Sequence, residues 1–158
     1  MARIDDVINT AGHRLSTGQL EEIIGNHASI AECAVIGVKD AIKGEIPVAL
    51  VVLKTNTDSS PEDIEREVVL KVREDIGAVA SLKTVVVVNR LPKTRSGKIL
   101  RGTIKKIAEN QKYAFPSTIE VPEALEEVKI ALEKKGLVRD INIKFEEDLG
   151  KAPKSEQP

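Results

Sequence analysis

The chain places three cations in one short stretch, Leu91-Pro92-Lys93-Thr94-Arg95-Ser96-Gly97-Lys98-Ile99-Leu100. Pro92 lacks a backbone N–H and argues against a central strand here, whereas Gly97 permits a tight turn. An apolar run, residues 85–88, precedes the stretch, and apolar residues recur at helical spacing after it. The pattern predicts a basic loop between a strand and a helix, with Lys98 close to the start of that helix.

This loop, residues 91–98, is called the lysine loop below, and its composition has two interpretations. A lysine beside backbone N–H groups at a helix start faces anions readily, so the loop is a candidate anion site. A solvated basic turn is the alternative. A Walker phosphate loop is excluded, because it requires Gly at position 92, where Pro stands, and Ser or Thr at position 99, where Ile stands.

The segments around the lysine loop predict a mixed fold. Five of them are predicted as strands from their apolar residues: 3–9, 10–15, 30–38, 46–53 and 82–89. Ser16 or Thr17 can cap a helix that ends at Gly25, and Ser60-Pro61 begins a second one. The predicted class is α+β: a small three-stranded antiparallel-type sheet flanked by helices, plus an N-terminal two-stranded ribbon.

Composition limits the functional classes. The 158 residues carry a net charge of −1, and only 2% of them are aromatic. Binding to nucleic acid is therefore not expected, because it needs a basic surface or aromatic stacking platforms. The sequence shows no signal peptide or membrane span, which predicts an intracellular protein. The single cysteine, Cys33, lies in an apolar run and is expected to be a buried, inert thiol.

The chain divides into three predicted parts. Residues 3–110 form the main domain, residues 111–136 form a C-terminal extension with a helix, and residues 137–158 form a tail. Within the tail, residues 138–145 could form a strand. Residues 151–158 have no apolar residue beyond Ala152 and are expected to be disordered.

Four segments of the sequence carry a resemblance to a known family. The lysine loop resembles the C-terminal lysine motif of the acyl-adenylate-forming enzymes, specifically the short-chain acyl-CoA synthetases. Arg3-Ile4-Asp5-Asp6 resembles the hinge motif of that family, and Gly12-His13-Arg14 resembles a segment that contacts CoA. Thr118-Ile119-Glu120 ahead of a helix resembles propionyl-CoA synthetases more than acetyl-CoA synthetases. The resemblance covers residues 3–136.

The resemblance implies a role for each matching residue. Lys98 would be catalytic, contacting the carboxylate and the phosphate during adenylation, and Asp5 would be the hinge. Gly12 and Arg14 would bind the pantetheine arm and phosphates of CoA, and Arg3 is a candidate on the nucleotide side. The spacing from Arg73 to Lys98 agrees with an arginine that reaches the 3′-phosphate of CoA. A turn glycine and surface arginines are the structural alternatives.

The resemblance also implies an activity. The full enzyme would be an AMP-forming ligase that joins propionate or acetate to CoA, with ATP, magnesium and CoA held largely by an N-terminal adenylation domain. This chain contains no Ser/Thr/Gly-rich phosphate loop, so it is expected to be inactive alone, to bind no cofactor alone and to hold no metal. The cytoplasm or the mitochondrial matrix is the expected compartment, and acylation of Lys98 is expected to block adenylation.

A different functional class stays open from the residues alone. The chain could be a stand-alone regulatory module that binds an anion or CoA without catalysis. The family resemblance instead implies that this chain is the mobile C-terminal domain, or lid, of the full enzyme, and this lid hypothesis predicts that residues 3–14 and 91–98 face a missing partner domain. The module hypothesis predicts a closed pocket within this chain.

Overall fold

The computed structural model describes residues 7–138. Its strands are β1 (Val7–Thr10), β2 (His13–Ser16), β3 (Ile30–Asp40), β4 (Gly44–Leu53) and β5 (Thr84–Val87). Its helices are α1 (Thr17–Gly25), α2 (Pro61–Asp75), α3 (Arg101–Ala108) and α4 (Glu123–Lys134), with a single 3₁₀ turn at Ala78–Ala80. The mixed class with helices around a sheet is confirmed.

The sheet has five strands, more than the three predicted. β4 is central: β3 pairs antiparallel along one edge, and on the other edge Thr10 of β1 pairs with Gly44, while β5 pairs in parallel further along. The predicted N-terminal ribbon exists as β1 and β2, but it continues the sheet. Pro47 lies between the β4 residues that pair with β1 and those that pair with β5, so its missing N–H is tolerated there.

The two faces of β4 are buried in two separate cores. Val48 and Leu50 face a core shared with α3 and α4. Ala49 and Val51 face a core shared with α1 and α2. All four side chains are fully buried, which explains why this strand reads as a continuous apolar run rather than as an alternating one. The sheet is therefore the middle of three layers.

Helix starts follow the predicted chemistry where capping residues exist. The Ser16 hydroxyl accepts the N–H of Gln19 at 3.2 Å and caps α1. The Ser60 hydroxyl accepts the N–H of Asp63 at 3.1 Å and caps α2. Leu100 precedes α3 without a side-chain cap, so the basic stretch is joined to its helix without the capping hydrogen bond that the other two have.

Some expectations differ from the structure or fall outside it. The predicted strands 30–38 and 46–53 leave a long polar loop, residues 39–45, between them, but β3 and β4 pair as far as Asp40 and Gly44, and the connection is a short turn. Arg3, Asp5 and the tail predictions for residues 139–158 lie outside the described residues. Among residues 7–138, none of the helices is long and apolar enough to cross a membrane.

Candidate functional site

The lysine loop is a tight hairpin whose exposed tip, residues 95–98, ends at Lys98. The N–H of Thr94 donates to the carbonyl of Lys98, and the N–H of Gly97 donates to the carbonyl of Thr94, both at 2.8 Å. The Thr94 hydroxyl oxygen accepts the N–H of Lys98 at 3.1 Å. Gly97 has a φ of +92°, with open space where a Cβ would stand, so backbone conformation rather than crowding favours glycine there.

The three cations of the lysine loop are placed differently. Lys93 donates to the Glu32 carboxylate at 2.7 Å and is held against β3. Arg95 and Lys98 are exposed, and within residues 7–138 neither forms an ion pair. Two cations at the hairpin tip are therefore available to an anion from outside this part of the chain.

The exit from the lysine loop is anchored by a half-buried ion pair. Arg101 donates to both carboxylate oxygens of Glu21, at 2.9 and 2.7 Å, and one of these oxygens also accepts the N–H of Val35 at 2.8 Å. The side chains are only 19% and 18% exposed. This arrangement joins the start of α3 to α1 and β3, which limits where Lys98 can lie.

An open groove of about 300 Å³ runs beside Lys98 and is lined partly by Ile8, Gly37 and Ile99. Arg101 and Lys105 also line it. Arg101 pairs with Glu21, and Lys105 pairs with Glu45 and Glu109 at 3.2 and 3.0 Å. Within residues 7–138, Lys98 is therefore the cation of this groove whose charge is not matched by a carboxylate.

The β1–β2 turn carries the predicted residues Gly12 and Arg14. Gly12 has a φ of +86° and open space where a Cβ would stand, so a ligand can approach its backbone closely. Arg14 is exposed on the ribbon opposite Asn9. The N–H of Ala11 donates to the carbonyl of Lys43 at 2.8 Å, which attaches this turn to the β3–β4 turn.

Arg73 lines a separate pocket of about 210 Å³ between α2 and the 3₁₀ turn. Lys43 and Lys83 line the same pocket, and the Lys43 ammonium donates to the Ser81 hydroxyl at 3.2 Å. Lys43 lies in the β3–β4 turn, which is bonded to the turn that carries Gly12. Lys43 therefore lies between the two predicted CoA-binding elements, the Gly12 turn and the pocket of Arg73. Lys98 lines none of this pocket.

Sequence reasoning missed the two lysines of this pocket. Lys43 reads as part of a solvated loop, because its neighbours in sequence are polar turn residues. Its place beside Arg73 depends on the pairing of β3 with β4 and on the turn before β5, neither of which leaves a local sequence signal.

Within residues 7–138, no group of three or more His, Cys, Asp or Glu side chains is arranged to hold a metal ion.

Cys33 is half-buried, not fully buried as predicted, and its thiol donates to the carbonyl of Glu21 at 3.3 Å. Burial is the main cause that raises the pKa of this thiol to about 11, and the Glu21 carboxylate adds to it. A raised pKa favours the protonated thiol, and the thiolate is the reactive form. The structure therefore supports an inert Cys33.

We expect Cys33 to react slowly with a thiol reagent at pH 8, where only about one thiol in a thousand would be ionised. The rate should rise with pH up to about 11, the pKa of the folded thiol. Stopped-flow measurement of modification against pH tests this, with the urea-unfolded chain as the reference. A plateau below pH 9 in the folded protein would contradict it.

Comparison with known proteins identifies relatives over most of the chain. The family model of the AMP-binding enzyme C-terminal domain matches residues 19–98. An uncharacterized protein of Pseudomonas aeruginosa is 57% identical over 132 residues, which is 84% of this chain and 21% of that protein. The mitochondrial acyl-CoA synthetase short-chain family member B of Dictyostelium discoideum is 54% identical, over 85% of this chain and 20% of its own length.

A solved structure shares the fold. The crystal structure of the Brucella canis acyl-CoA synthetase matches with a TM-score of 0.60 and 36% identity, covering 67% of this chain and 19% of that chain. The chain thus spans about a fifth of the length of the curated relatives that it matches.

Proposed function

The chain belongs to the AMP-binding enzyme C-terminal domain family, and we propose that it is the mobile lid of an AMP-forming short-chain acyl-CoA synthetase. The full enzyme would convert an acid, ATP and CoA into acyl-CoA, AMP and pyrophosphate, with propionate or acetate as the acid. The observation that carries the proposal is Lys98, exposed at a hairpin tip without an ion-pair partner among residues 7–138, at the end of the region that matches the family.

In the first half-reaction, the acid carboxylate attacks the α-phosphorus of ATP. The new acyl–oxygen–phosphorus bond replaces the bond between the α- and β-phosphates, and pyrophosphate leaves with the electron pair. Lys98 would contact the carboxylate and the α-phosphate and stabilise the negative charge that concentrates between them. A lysine suits this role because its ammonium is a compact charge on a flexible stem.

In the second half-reaction, the lid would rotate about Asp5, withdraw Lys98 and present a different face to CoA. The CoA sulfur attacks the acyl carbon and forms the thioester bond, and the thiol proton passes to solvent. The bond between the acyl carbon and the phosphate oxygen breaks, and AMP leaves with the electron pair. The Gly12 turn and the pocket of Arg73 are the elements that would receive CoA. Support comes from the open backbone at Gly12 and from the three cations around the pocket, which suit phosphates.

We expect Arg73→Ala and Lys43→Ala each to raise the KM for CoA roughly tenfold or more, since a hydrogen bond to a charged group contributes roughly 1.5–3 kcal/mol. The rate of acyl-adenylate formation should stay the same, because CoA enters afterwards. Steady-state kinetics with varied CoA, and pyrophosphate release without CoA, measure the two effects. Arg66→Ala, which changes an exposed arginine on the same helix, is the matched control and should leave the KM for CoA unaltered. If neither Arg73→Ala nor Lys43→Ala alters this KM, the pocket does not bind CoA.

Complementation tests the proposed function as a whole. The 158-residue chain would be fused to the adenylation domain of a propionyl-CoA synthetase, and propionyl-CoA and AMP would be measured with and without it. The expected result is activity that depends on this chain. Acetate and propionate are compared in the same assay, although the acid pocket belongs to the other domain.

A control separates a failed domain match from a failed proposal. The adenylation domain is also fused to its own C-terminal domain and to one in which residues 91–98 come from this chain. If the own-domain fusion is active and the loop chimera is not, the lysine loop of this chain cannot serve adenylation. That outcome would overturn the proposal.

The remaining assignments follow the same proposal. Residues 3–110 would be the lid, residues 111–136 its extension and residues 137–158 a tail. Magnesium would be held by the adenylation domain, and Arg3 would lie on the nucleotide side. The cytoplasm or the mitochondrial matrix would be its compartment, and the Dictyostelium relative is named as mitochondrial. A stand-alone regulatory module is not supported, because the relatives carry this domain within much longer chains.

A further inference from the structure

The outer edge of the lysine loop is covered by a segment that lies outside the region matching the family. Residues 118–120, here called the clamp segment, run antiparallel to the loop, with Thr94 paired opposite Ile119. The N–H of Arg95 donates to the carbonyl of Thr118 at 2.8 Å, and the N–H of Glu120 donates to the carbonyl of Lys93 at 2.8 Å. On its inner edge, the loop pairs Lys93 with Ile99. The strand of the loop that contains Thr94 is therefore bonded on both sides.

The clamp segment is itself anchored. Ile119 is 6% exposed and belongs to the core that α3 and α4 share with the sheet. Helix α4 follows directly and buries Leu125, Val128 and Leu132 completely in the same core. The clamp segment is thus fixed by α4, and it cannot follow a free movement of the loop.

A second contact fixes the start of the loop to the same helix. Arg90, one residue before the loop, donates to both carboxylate oxygens of Glu127 on α4, at 3.0 and 2.6 Å. These hydrogen bonds lower the pKa of the Glu127 carboxyl. Helix α4 therefore holds the lysine loop at its entry, through Arg90, and along its edge, through the clamp segment.

The tip of the loop needs such support, although ion pairs of Lys93 and Arg101 also hold the two ends of the loop. Its internal hydrogen bonds close the tip around Thr94, but residues 95–98 are exposed. A catalytic lysine loses much of its effect when it is displaced by about 1 Å, with losses of up to about 100-fold in rate. An exposed tip keeps Lys98 in place only if the base of the hairpin is rigid.

We propose that Ile119 and the clamp segment are positioning elements for Lys98, so that the C-terminal extension serves the adenylation half-reaction although it lies outside the family match. This inference rests on the proposed function, in which Lys98 acts on acyl-adenylate formation. Ile119 acts through the loop and contacts no substrate. The prediction is specific: loosening the clamp slows adenylation, and the thioester half-reaction, from which Lys98 is withdrawn, continues.

Hydrogen exchange on the 158-residue chain tests the structural half of the proposal without any enzyme assay. In Ile119→Ala, the amides of Thr94, Arg95 and Gly97 are expected to exchange about fivefold or more faster than in wild type, since each lost hydrogen bond contributes about 1 kcal/mol. Leu132→Ala is the matched control. It removes a side chain from the same core but leaves Ile119 and the hydrogen bonds of the clamp segment in place. At equal global stability, the loop amides should therefore exchange more slowly in Leu132→Ala than in Ile119→Ala.

A second pair of variants isolates the backbone hydrogen bond, in case Ile119→Ala weakens the whole domain. Glu120→Pro removes the N–H that donates to Lys93, whereas Glu120→Ala keeps it, and the side chain at this position is exposed. Of these two variants, only Glu120→Pro is expected to speed hydrogen exchange in the loop. Two results together would overturn the proposal. The loop amides would exchange at the same rate in Glu120→Pro as in Glu120→Ala, and they would exchange no faster in Ile119→Ala than in Leu132→Ala.

The functional half is measured in the active fusion. Ile119→Ala is expected to lower adenylation about 10- to 100-fold, to leave thioester formation from supplied acyl-adenylate within about twofold, and to be rescued by Ile119→Val. A merely structural role would lower both half-reactions together, and that result would overturn the proposal. If the own-domain fusion is active and the loop chimera is not, but hydrogen exchange in the loop still depends on Ile119 and Glu120, the proposed function has failed and the support of the loop by the clamp segment stands.

Discussion

Lys98→Ala is expected to lower the rate of acyl-adenylate formation by about 100- to 1,000-fold in the enzyme completed by an adenylation domain. The physical reason is the position of the ammonium. It stands exposed at the tip of a hairpin, without an ion-pair partner in residues 7–138, so its charge is available to the reacting carboxylate and phosphate. Adenylation is measured by pyrophosphate release or exchange, with the other half-reaction measured from pre-made acyl-adenylate and CoA.

The second half-reaction should keep most of its rate in Lys98→Ala, because the lid withdraws this residue before CoA reacts. Lys106→Ala is the matched control, since Lys106 is another exposed lysine nearby, on α3, and it should change neither rate. Equal loss of both half-reactions would refute the separate role of Lys98. A loss of adenylation in both lysine variants would indicate a general effect of positive charge rather than a contact.

The lysine loop could be predicted from sequence because its determinants are local. Pro92 and Gly97 set the backbone conformation of the turn, and the apolar residues on either side fall into a strand and a helix. The caps at Ser16 and Ser60 were predictable for the same reason: each depends on one hydroxyl and one N–H three residues later. The residues that determine a turn or a helix cap lie within a few positions of each other in the sequence.

Other features depend on which strands meet, and local patterns do not specify that. The apolar run of β5 does not show that this strand pairs in parallel with β4. The sequence of the N-terminal ribbon does not show that Thr10 of β1 also pairs with β4. The place of Lys43 beside Arg73 follows from that pairing. Ile119 reads as an isolated apolar residue between polar ones, although it pairs with Thr94 and is buried.

Leu50→Ala is expected to lower the free energy of unfolding by about 2–5 kcal/mol, a large part of the roughly 5–15 kcal/mol typical of a domain. Leu50 has no exposed surface and lies in the central strand, paired with Ala34 on one side and Val86 on the other. Its side chain fills the core under α3 and α4. Because β4 is paired on both sides, it cannot move to fill the cavity that Leu50→Ala leaves. The loss of unfolding free energy should therefore lie in the upper part of that range.

Urea denaturation of the chain measures this effect, and Leu70→Ala is the matched control. The chemical change is identical, but Leu70 is 50% exposed on α2, so the expected loss is within about 0.5 kcal/mol. Equal losses in the two variants would mean that β4 is not the centre of the core. The lysine loop and the clamp segment both meet this same core, through Leu91 and Ile119. Leu50→Ala should therefore also loosen Lys98, and both half-reactions should fall as the folded fraction falls, in contrast to the selective loss expected from Lys98→Ala.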